Sequence, residues 1–212
     1  MSSDNRLSFV KNLQMKYDPE PLHSNQVAKL SLQLFDELTP LHKLSTSERL
    51  LLEASALLHD IGYASQNADG HHKNSLRIIM EAGTPALPGF NPTETEIIAN
   101  VARYHRKSLP SESHPHYAKL DSNSRSIVCK LAALLRIADG LDRSHRSLVS
   151  KVLTVIEPEK VIFDIFHFGE LRNEITAAEK KADLFEIVYE RQAVFRKQII
   201  KIDDQTNRVL QI

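Results

Sequence analysis

The chain has 212 residues, 42% of them apolar, enough for a substantial core in one large domain or a domain with a small appendage. Lys plus Arg total 27 and Asp plus Glu total 27, so no bulk basic charge points to DNA or a membrane surface, and any phosphate recognition must be local. No apolar run approaches the roughly 18 to 20 residues that span a bilayer, the N-terminus Met1-Ser2-Ser3-Asp4-Asn5-Arg6 lacks a targeting pattern, and the single cysteine, Cys129, forms no intramolecular disulfide, all of which suits the cytoplasm.

From Arg6 to Tyr17, Leu7, Phe9, Val10 and Leu13 recur at roughly helical spacing, and Pro19 and Pro21 then break the chain. A second helix begins near His23, where Val27, Leu30, Leu34 and Leu38 mark one face; His23 lies four residues before Val27 on that stripe, so its ring is expected to point inward. Ser45 followed by Glu48 is a capping box opening a third helix, which runs through Leu50 to Leu58 and ends in His59-Asp60. A polar loop from Tyr63 to Lys73 contains the doublet His71-His72 and reads as a site wall, returning to helix at about Asn74 through Ala82. Gly83 to Pro92, with three prolines, is expected to be irregular.

A helix from about Thr93 carries Ile97, Ile98, Val101, Ala102 and His105 in register, and Leu109 to Leu120 is read as loop with His114 and His116 solvated. Ser122 to about His145 is the longest helix, its apolar face adjoining Asp139; Cys129 fits among its neighbours as a small buried residue. After Ser150 the runs Val152 to Ile156 and Val161 to Phe166, joined by Glu157-Pro158-Glu159-Lys160, predict a β-hairpin, followed by a closing helix over roughly Ala177 to Lys197. The fold class is therefore mainly α: an N-terminal helical extension over 1–20, a metal-binding helical bundle over 21–148, and over 149–212 a hairpin and closing helix packed on the same domain. The closing helix, with Leu184, Ile187, Val188, Val194 and Phe195, can pack on its own core or on a second copy in a homodimer.

Six residues stand out: His23, His59, Asp60, His71, His105 and Asp139, nearly all beside apolar helical segments, where burial without a common partner would be costly. A lone histidine on an apolar face is more often a hydrogen-bonded core residue, and aspartates at helix ends often serve as caps; six together favour a shared divalent metal site. Imidazole and carboxylate suit Mn, Fe, Ni, Co or Zn, with Mg also open, and about five or six protein ligands serve two ions. We expect Asp60 to bridge, with His23, His59, Asp60 and Asp139 on one ion and Asp60, His71 and His105 on the other. Of the doublet, His71 is favoured because a small residue, Ser75, can pack below it, leaving His72 beside the site or in solvent. Lys73, Arg106, Lys107 and Arg143 are candidates to clamp a phosphate, against the equal alternative of ordinary surface charges. Asp60, Lys73 and Arg106 are the expected catalytic residues, and His72, Lys73, Arg106, Lys107 and Arg143 the expected substrate contacts. His42, His114, His116 and His167 are set aside, and His145, three residues past Asp142, is read as a cap or a second neighbour of the site.

At these residues the chain resembles the HD superfamily of metal-dependent phosphohydrolases, named for the pair seen here as His59-Asp60. Four blocks, Ala56 to Tyr63, Gly70 to Ser75, Val101 to Lys107 and Lys130 to His145, together with the hairpin, resemble the C-terminal HD domain of the exopolyphosphatase/guanosine pentaphosphatase family over roughly residues 20 to 197. The resemblance implies the HD fold and the metal ligands. In that family the polyphosphate-hydrolysing site belongs to an actin-like domain with glycine-rich loops; this chain, with six glycines, shows no such half, so exopolyphosphatase activity is not carried over. The expected function is cleavage of a phosphoester or phosphoanhydride of a small molecule, a nucleotide for instance, by metal-activated hydroxide. The alternative is a regulatory module, weakly catalytic or not at all, that binds nucleotide or polyphosphate beside a separate actin-like partner. The oxygen chemistry known for some iron pairs in the superfamily ranks below both.

Overall fold

The structure is a computed structural model and describes residues 1–64, 70–203 and 208–211; residues 65–69 of the polar loop read as a site wall lie outside the described residues. The chain is mainly α, as expected. Helix α1 (Ser3–Tyr17) is capped by Ser2, and α2 (Pro21–Glu37) begins on Pro21 itself, the second of the two prolines, and buries Val27, Leu30 and Leu34 along with His23. A short α3 (Thr39–His42) precedes α4 (Thr46–Leu58), whose capping box is present: Ser45 Oγ accepts from Ser47 N at 3.2 Å and Glu48 Oε2 accepts from Ser45 N at 2.8 Å. A 3₁₀ turn (Ile61–Ala64) follows, then α5 (His71–Ala86) and α6 (Pro92–Arg103), which opens on a second capping box, Asn91 with Glu94. Helix α7 (Pro115–Ala118) is one turn, and α8 (Ser122–Gly140), capped by Asp121, is buried almost continuously from Leu131 to Gly140 with other helices on every side.

Several boundaries differ from those expected from pattern. Helix α5 starts at His71 and continues past Gly83, where φ is +47°, because glycine absorbs the kink and lets one more turn form before Leu87. Helix α8 stops at Gly140, so Arg143 and His145 lie on a series of turns. The expected closing helix is three elements: α9 (Arg172–Lys181), α10 (Asp183–Tyr189) and strand β3 (Gln192–Asp203). Val194 and Phe195, which extend a helical period on paper, instead pair with β2 (Lys160–His167), where Phe195 stacks on Phe163 with centroids 5.0 Å apart. The hairpin of β1 (Val149–Ile156) and β2 is antiparallel as predicted, β3 adds in parallel, and β4 (Arg208–Gln211) pairs antiparallel with β3. Buried residues from Val10 of α1 to Tyr189 of α10 form one continuous core.

The four histidines set aside earlier all have structural partners: His167 Nδ1 donates to Gly169 O at 2.8 Å, and His116, expected to be solvated, is half-buried with Nδ1 3.7 Å from Glu96 Oε1. His42 is buried, donating from Nε2 to Phe35 O at 2.7 Å and accepting from Leu44 N at Nδ1 at 2.9 Å, which keeps it neutral; burial lowers its pKa. His114 is not solvated as expected but lies 2.8 Å from the Tyr104 hydroxyl. Cys129 is half-buried with its Sγ 3.2 Å from the Tyr117 hydroxyl. Among the described residues no helix is long and apolar enough to cross a membrane.

Candidate metal centre

Helix ends build this site. The last carbonyls of an α-helix have no partner within it, and here histidine rings just beyond two such ends take them: His59 Nδ1 donates to Ala56 O of α4 at 2.7 Å, and His105 Nδ1 donates to Ala102 O of α6 at 2.6 Å. Each bond fixes the tautomer and leaves the Nε2 lone pair aimed inward. His23, in the first turn of α2, is oriented by another route, its Nδ1 lying 2.9 Å from Asp142 Oδ2. His71 opens α5, stacked on Tyr63 at 3.8 Å. Asp139 sits in the last turn of α8.

The six residues singled out from the sequence converge. Asp60 Oδ2 lies 3.5 Å from His59 Nε2 and 3.8 Å from His23 Nε2, whereas its other oxygen, Oδ1, lies 3.3 Å from His71 Nε2 and 3.5 Å from His105 Nε2. His23 Nε2 is also 3.5 Å from Asp139 Oδ1. These make two ligand clusters that share Asp60: His23 with His59, and His71 with His105. All six residues are buried. His23 Nε2, His59 Nε2 and Asp60 Oδ1 nevertheless have no hydrogen-bond partner, and His71 Nε2 faces His105 Nε2 at 3.3 Å. Buried polar atoms left so are costly, and a cation between them satisfies them together. The donor set therefore fits one or two divalent ions of the imidazole-and-carboxylate class.

The electrostatics agree. Burial disfavours the charged form of His23, but the carboxylates of Asp139 and Asp142 outweigh it and lift its pKa to about 10. Burial likewise opposes ionisation of Asp60, yet the surrounding His59, His71 and His105 hold it well below the usual carboxylate range; Lys181 and His23 do the same for Asp139 against its burial. Burial and the neighbouring His59 push His105 well below the ordinary imidazole value. Ionised acids beside His105, which lacks its second proton, suit a cation, and the extra proton that His23 keeps in the metal-free chain would be displaced when one binds.

Glycine and serine hold the geometry. A Cβ on Gly62 would sit 2.0 Å from His71 O and 2.6 Å from Ser75 N, so only glycine lets the 3₁₀ turn lie against the start of α5. Ser75 Oγ donates to His59 O at 2.6 Å and accepts from Gly62 N at 3.0 Å, tying the end of α4 to the helix carrying His71. On the far side Gly140 lets α9 approach α8, since a Cβ there would meet Ala178 Cα at 2.7 Å. That contact brings Lys181 onto Asp139 Oδ2.

A cavity of about 170 Å³ opens over the cluster, lined by Asp60, Tyr63, His71, His105, Arg106, Asp139, Arg143, His145 and Lys181. Arg106 Nη1 lies 3.3 Å from His71 Nε2, and Arg143 stands at the exposed rim. Lys73 and Lys107 are exposed and are not part of this lining, and His72 is buried beside it, its pKa lowered to about 4 first by burial and then by His71. The reading of the sequence missed Tyr63, Asp142 and Lys181. Asp142 was findable, three residues past Asp139 at the same helix end; nothing in the sequence ties Lys181 to Asp139, 42 residues away. His145 stacks on His23 with centroids 3.8 Å apart and pairs with Glu20.

A mainly α chain with a buried histidine and aspartate cluster under a cation-lined cavity is the class that fold and site define. The chain belongs to the Ppx/GppA phosphatase domain III family, whose model matches residues 6–185. It is 29% identical over 181 residues to a guanosine-5'-triphosphate,3'-diphosphate pyrophosphatase of Vibrio vulnificus (strain YJ016), covering 83% of this chain and 34% of that protein. A protein of the same name from Vibrio campbellii (strain ATCC BAA-1116) is 26% identical over 84% of this chain and 34% of its own length. One from Pseudoalteromonas translucida (strain TAC 125) is 30% identical over 65% of this chain and 26% of its own length. The chain thus spans about a third or less of these curated relatives.

Proposed function

We propose that this chain is an HD-type metal-dependent phosphohydrolase that cleaves a phosphoester or phosphoanhydride of a small molecule, a nucleotide being the substrate class the relatives' names favour. The observation that carries this reading is the division of Asp60, one oxygen toward His23 and His59 and the other toward His71 and His105, with His23 Nε2, His59 Nε2 and Asp60 Oδ1 buried and without a hydrogen-bond partner. His23, His59, Asp60 and Asp139 would hold one ion, and Asp60, His71 and His105 the other. Divalent ions there supply Lewis acidity to a phosphoryl oxygen and acidify water at neutral pH. Arg106 and Arg143 orient the phosphoryl group from the cavity rim, each able to engage two of its oxygens. Tyr63 backs His71, and the Ala56 and Ala102 carbonyls keep the ligand rings in one tautomer. The cavity, about 170 Å³, leaves room for a phosphoryl group beside the ligands.

A second reading is favoured by coverage: the match is to domain III, a third of the relatives' length, which suits a regulatory module that binds nucleotide or polyphosphate beside a separate phosphatase partner. Elemental analysis with a phosphatase panel under added manganese or magnesium separates the two. For the hydrolase, the wild type carries metal and turns over at least one phosphoester or phosphoanhydride, and Asp60→Ala lowers kcat at least about 100-fold while reducing bound metal. Bound metal with no turnover across the panel sinks the hydrolase and leaves the binding module.

A further inference from the structure

Lys181 closes α9 and, among the described residues, is the one side chain of the C-terminal unit that lines the metal cavity. A lysine in the last turn of a helix suits the negative end of the helix dipole, which accounts for the residue type but not for its direction. The side chain turns inward, 20% exposed, and its Nζ bonds Asp139 Oδ2. Asp139 is thereby divided as Asp60 is, its Oδ1 lying 3.5 Å from His23 Nε2 while Oδ2 meets the ammonium. An ammonium has three donors, and among the described residues Asp139 is the only acceptor bonded to this one.

The position is held from behind. The buried Arg136 donates from Nε to Lys181 O at 3.3 Å and from Nη1 to Tyr104 O at 3.1 Å, so one guanidinium fixes the backbone of Lys181 together with the carbonyl next to the ligand His105. Its Nη2 grips both oxygens of Asp183, at 2.8 and 3.0 Å. Charge gives Lys181 a purpose beyond Asp139. The carboxylates of Asp60 and Asp139 already balance one divalent ion, so an ammonium beside them opposes metal binding, and a further anion in the cavity offsets it. Arg106, with Nη1 3.3 Å from His71 Nε2, stands at the His71 and His105 side of the cluster, whereas Lys181 stands at the Asp139 side; an anion over the ligands meets a cation from each.

We propose that Lys181 is a catalytic residue, donating from the Asp139 side to an oxygen of the reacting phosphoryl group while Arg106 donates from the His71 side. The proposal rests on the metal-centre reading for the place of that group. Charge that gathers on the phosphoryl oxygens in the transition state is met by an ammonium already in position, and the C-terminal unit takes part in the reaction without supplying a metal ligand.

Calorimetry on the full chain, with manganese titrated alone and inorganic phosphate then titrated into the manganese-loaded protein, separates this role from mere support of Asp139. In Lys181→Met, which removes the charge and keeps the length of the side chain, manganese should bind at least as tightly as in the wild type and inorganic phosphate about tenfold more weakly. For a phosphoester that the wild type hydrolyses, kcat/KM should fall about a hundredfold, the excess over the loss of phosphate affinity appearing in kcat. Lys181→Arg should recover part of the phosphate affinity, and a thermal melt checks that both variants fold. Weaker manganese binding in Lys181→Met would make Lys181 a support for Asp139 and overturn the proposal, as would wild-type phosphate affinity in that variant. If the wild type takes up no divalent ion, the metal-centre reading fails, and phosphate titrated into the metal-free chain decides the rest: a loss in Lys181→Met keeps Lys181 as an anion contact, and unchanged affinity removes that as well.

Discussion

The helical bundle and the C-terminal unit meet at one cavity but contribute to it differently. From the bundle come α2, α4, α5, α6 and α8; two of their ligand side chains are held by their own helix ends, His59 by Ala56 O and His105 by Ala102 O, and a third, His23, by Asp142 just beyond the end of α8. The C-terminal unit brings one polar side chain to the cavity, Lys181, and holds it only through long-range packing, with α9 against Gly140 and the buried Arg136 guanidinium bonded to Asp183 at 2.8 Å and to Tyr104 O at 3.1 Å. Local restraint of His59 and His105 makes the bundle half readable; the other half depends on how the sheet unit docks.

Two glycine substitutions test that contrast, and the larger effect is expected in the bundle. In Gly62→Ala the new Cβ meets backbone on both sides, His71 O at 2.0 Å and Ser75 N at 2.6 Å, so neither neighbour can swing away. We expect a loss of about 3 kcal/mol and a fall in Tm of about 6–12 °C, with reduced metal content because α5 carries His71. Gly140→Ala also meets backbone, Ala178 Cα at 2.7 Å, but the replacement gains up to about 1 kcal/mol of helix propensity in α8, so the net loss is about 1–2 kcal/mol. Its metal content should stay near that of the wild type, since Lys181 restrains Asp139 only from outside the cluster. Equal loss of metal in both variants would mean that the C-terminal unit sets the ligand geometry as strongly as the bundle does.

The same contrast decides what could be read from the chain. The ligands were legible because burial on an apolar stripe is a local property: His23 shares the face of Val27 and Leu30, and His59-Asp60 ends a run that can only be interior. The capping box of Ser45 and Glu48 made the start of α4 equally plain. The C-terminal unit was misread beyond Tyr189 because Val194 and Phe195 satisfy a helical period and a strand period alike, and only pairing with Ile162 and Phe163 of β2 selects the strand. Lys181 stayed hidden because its role arises from the contact of Ala178 with Gly140, a pairing of small residues that leaves no mark in either segment.

A pH titration of the metal-free chain sharpens the comparison from within the bundle. His23 has a folded pKa of about 10 against an ordinary 6.5, so folding takes up a proton: its contribution to stability is complete below about pH 6.5 and is lost as pH rises through about 10. Asp60 and Asp139, held below the usual range, remain ionised throughout that window. Tm of the metal-free chain should therefore decline between about pH 6.5 and 10, whereas His23→Gln flattens the slope. A divalent ion competes with the same proton, so metal affinity should rise over the same interval. A metal-free Tm independent of pH across it would show that Asp139 and Asp142 do not stabilise a charged His23.

The smallest effects separate the cations that line the cavity from those that merely neighbour the ligands in sequence. Arg106 is half-buried with Nη1 3.3 Å from His71 Nε2 and lines the cavity, so Arg106→Ala removes a group that can engage a phosphoryl oxygen; KM for a hydrolysed substrate should rise about tenfold. Lys73 follows the histidine doublet just as closely along the chain, but α5 begins at His71 and turns it outward, where it is exposed and takes no part in the lining. Lys73→Ala should change KM less than about twofold and stability by no more than about 0.5 kcal/mol. The reverse ranking in steady-state kinetics would mean that substrate approaches over α5 rather than across the Arg106 and Arg143 rim. That outcome would move the entrance of the site, because an exposed lysine matters to phosphate binding only when the phosphate passes within a few ångströms of it, water and salt screening its charge beyond that range.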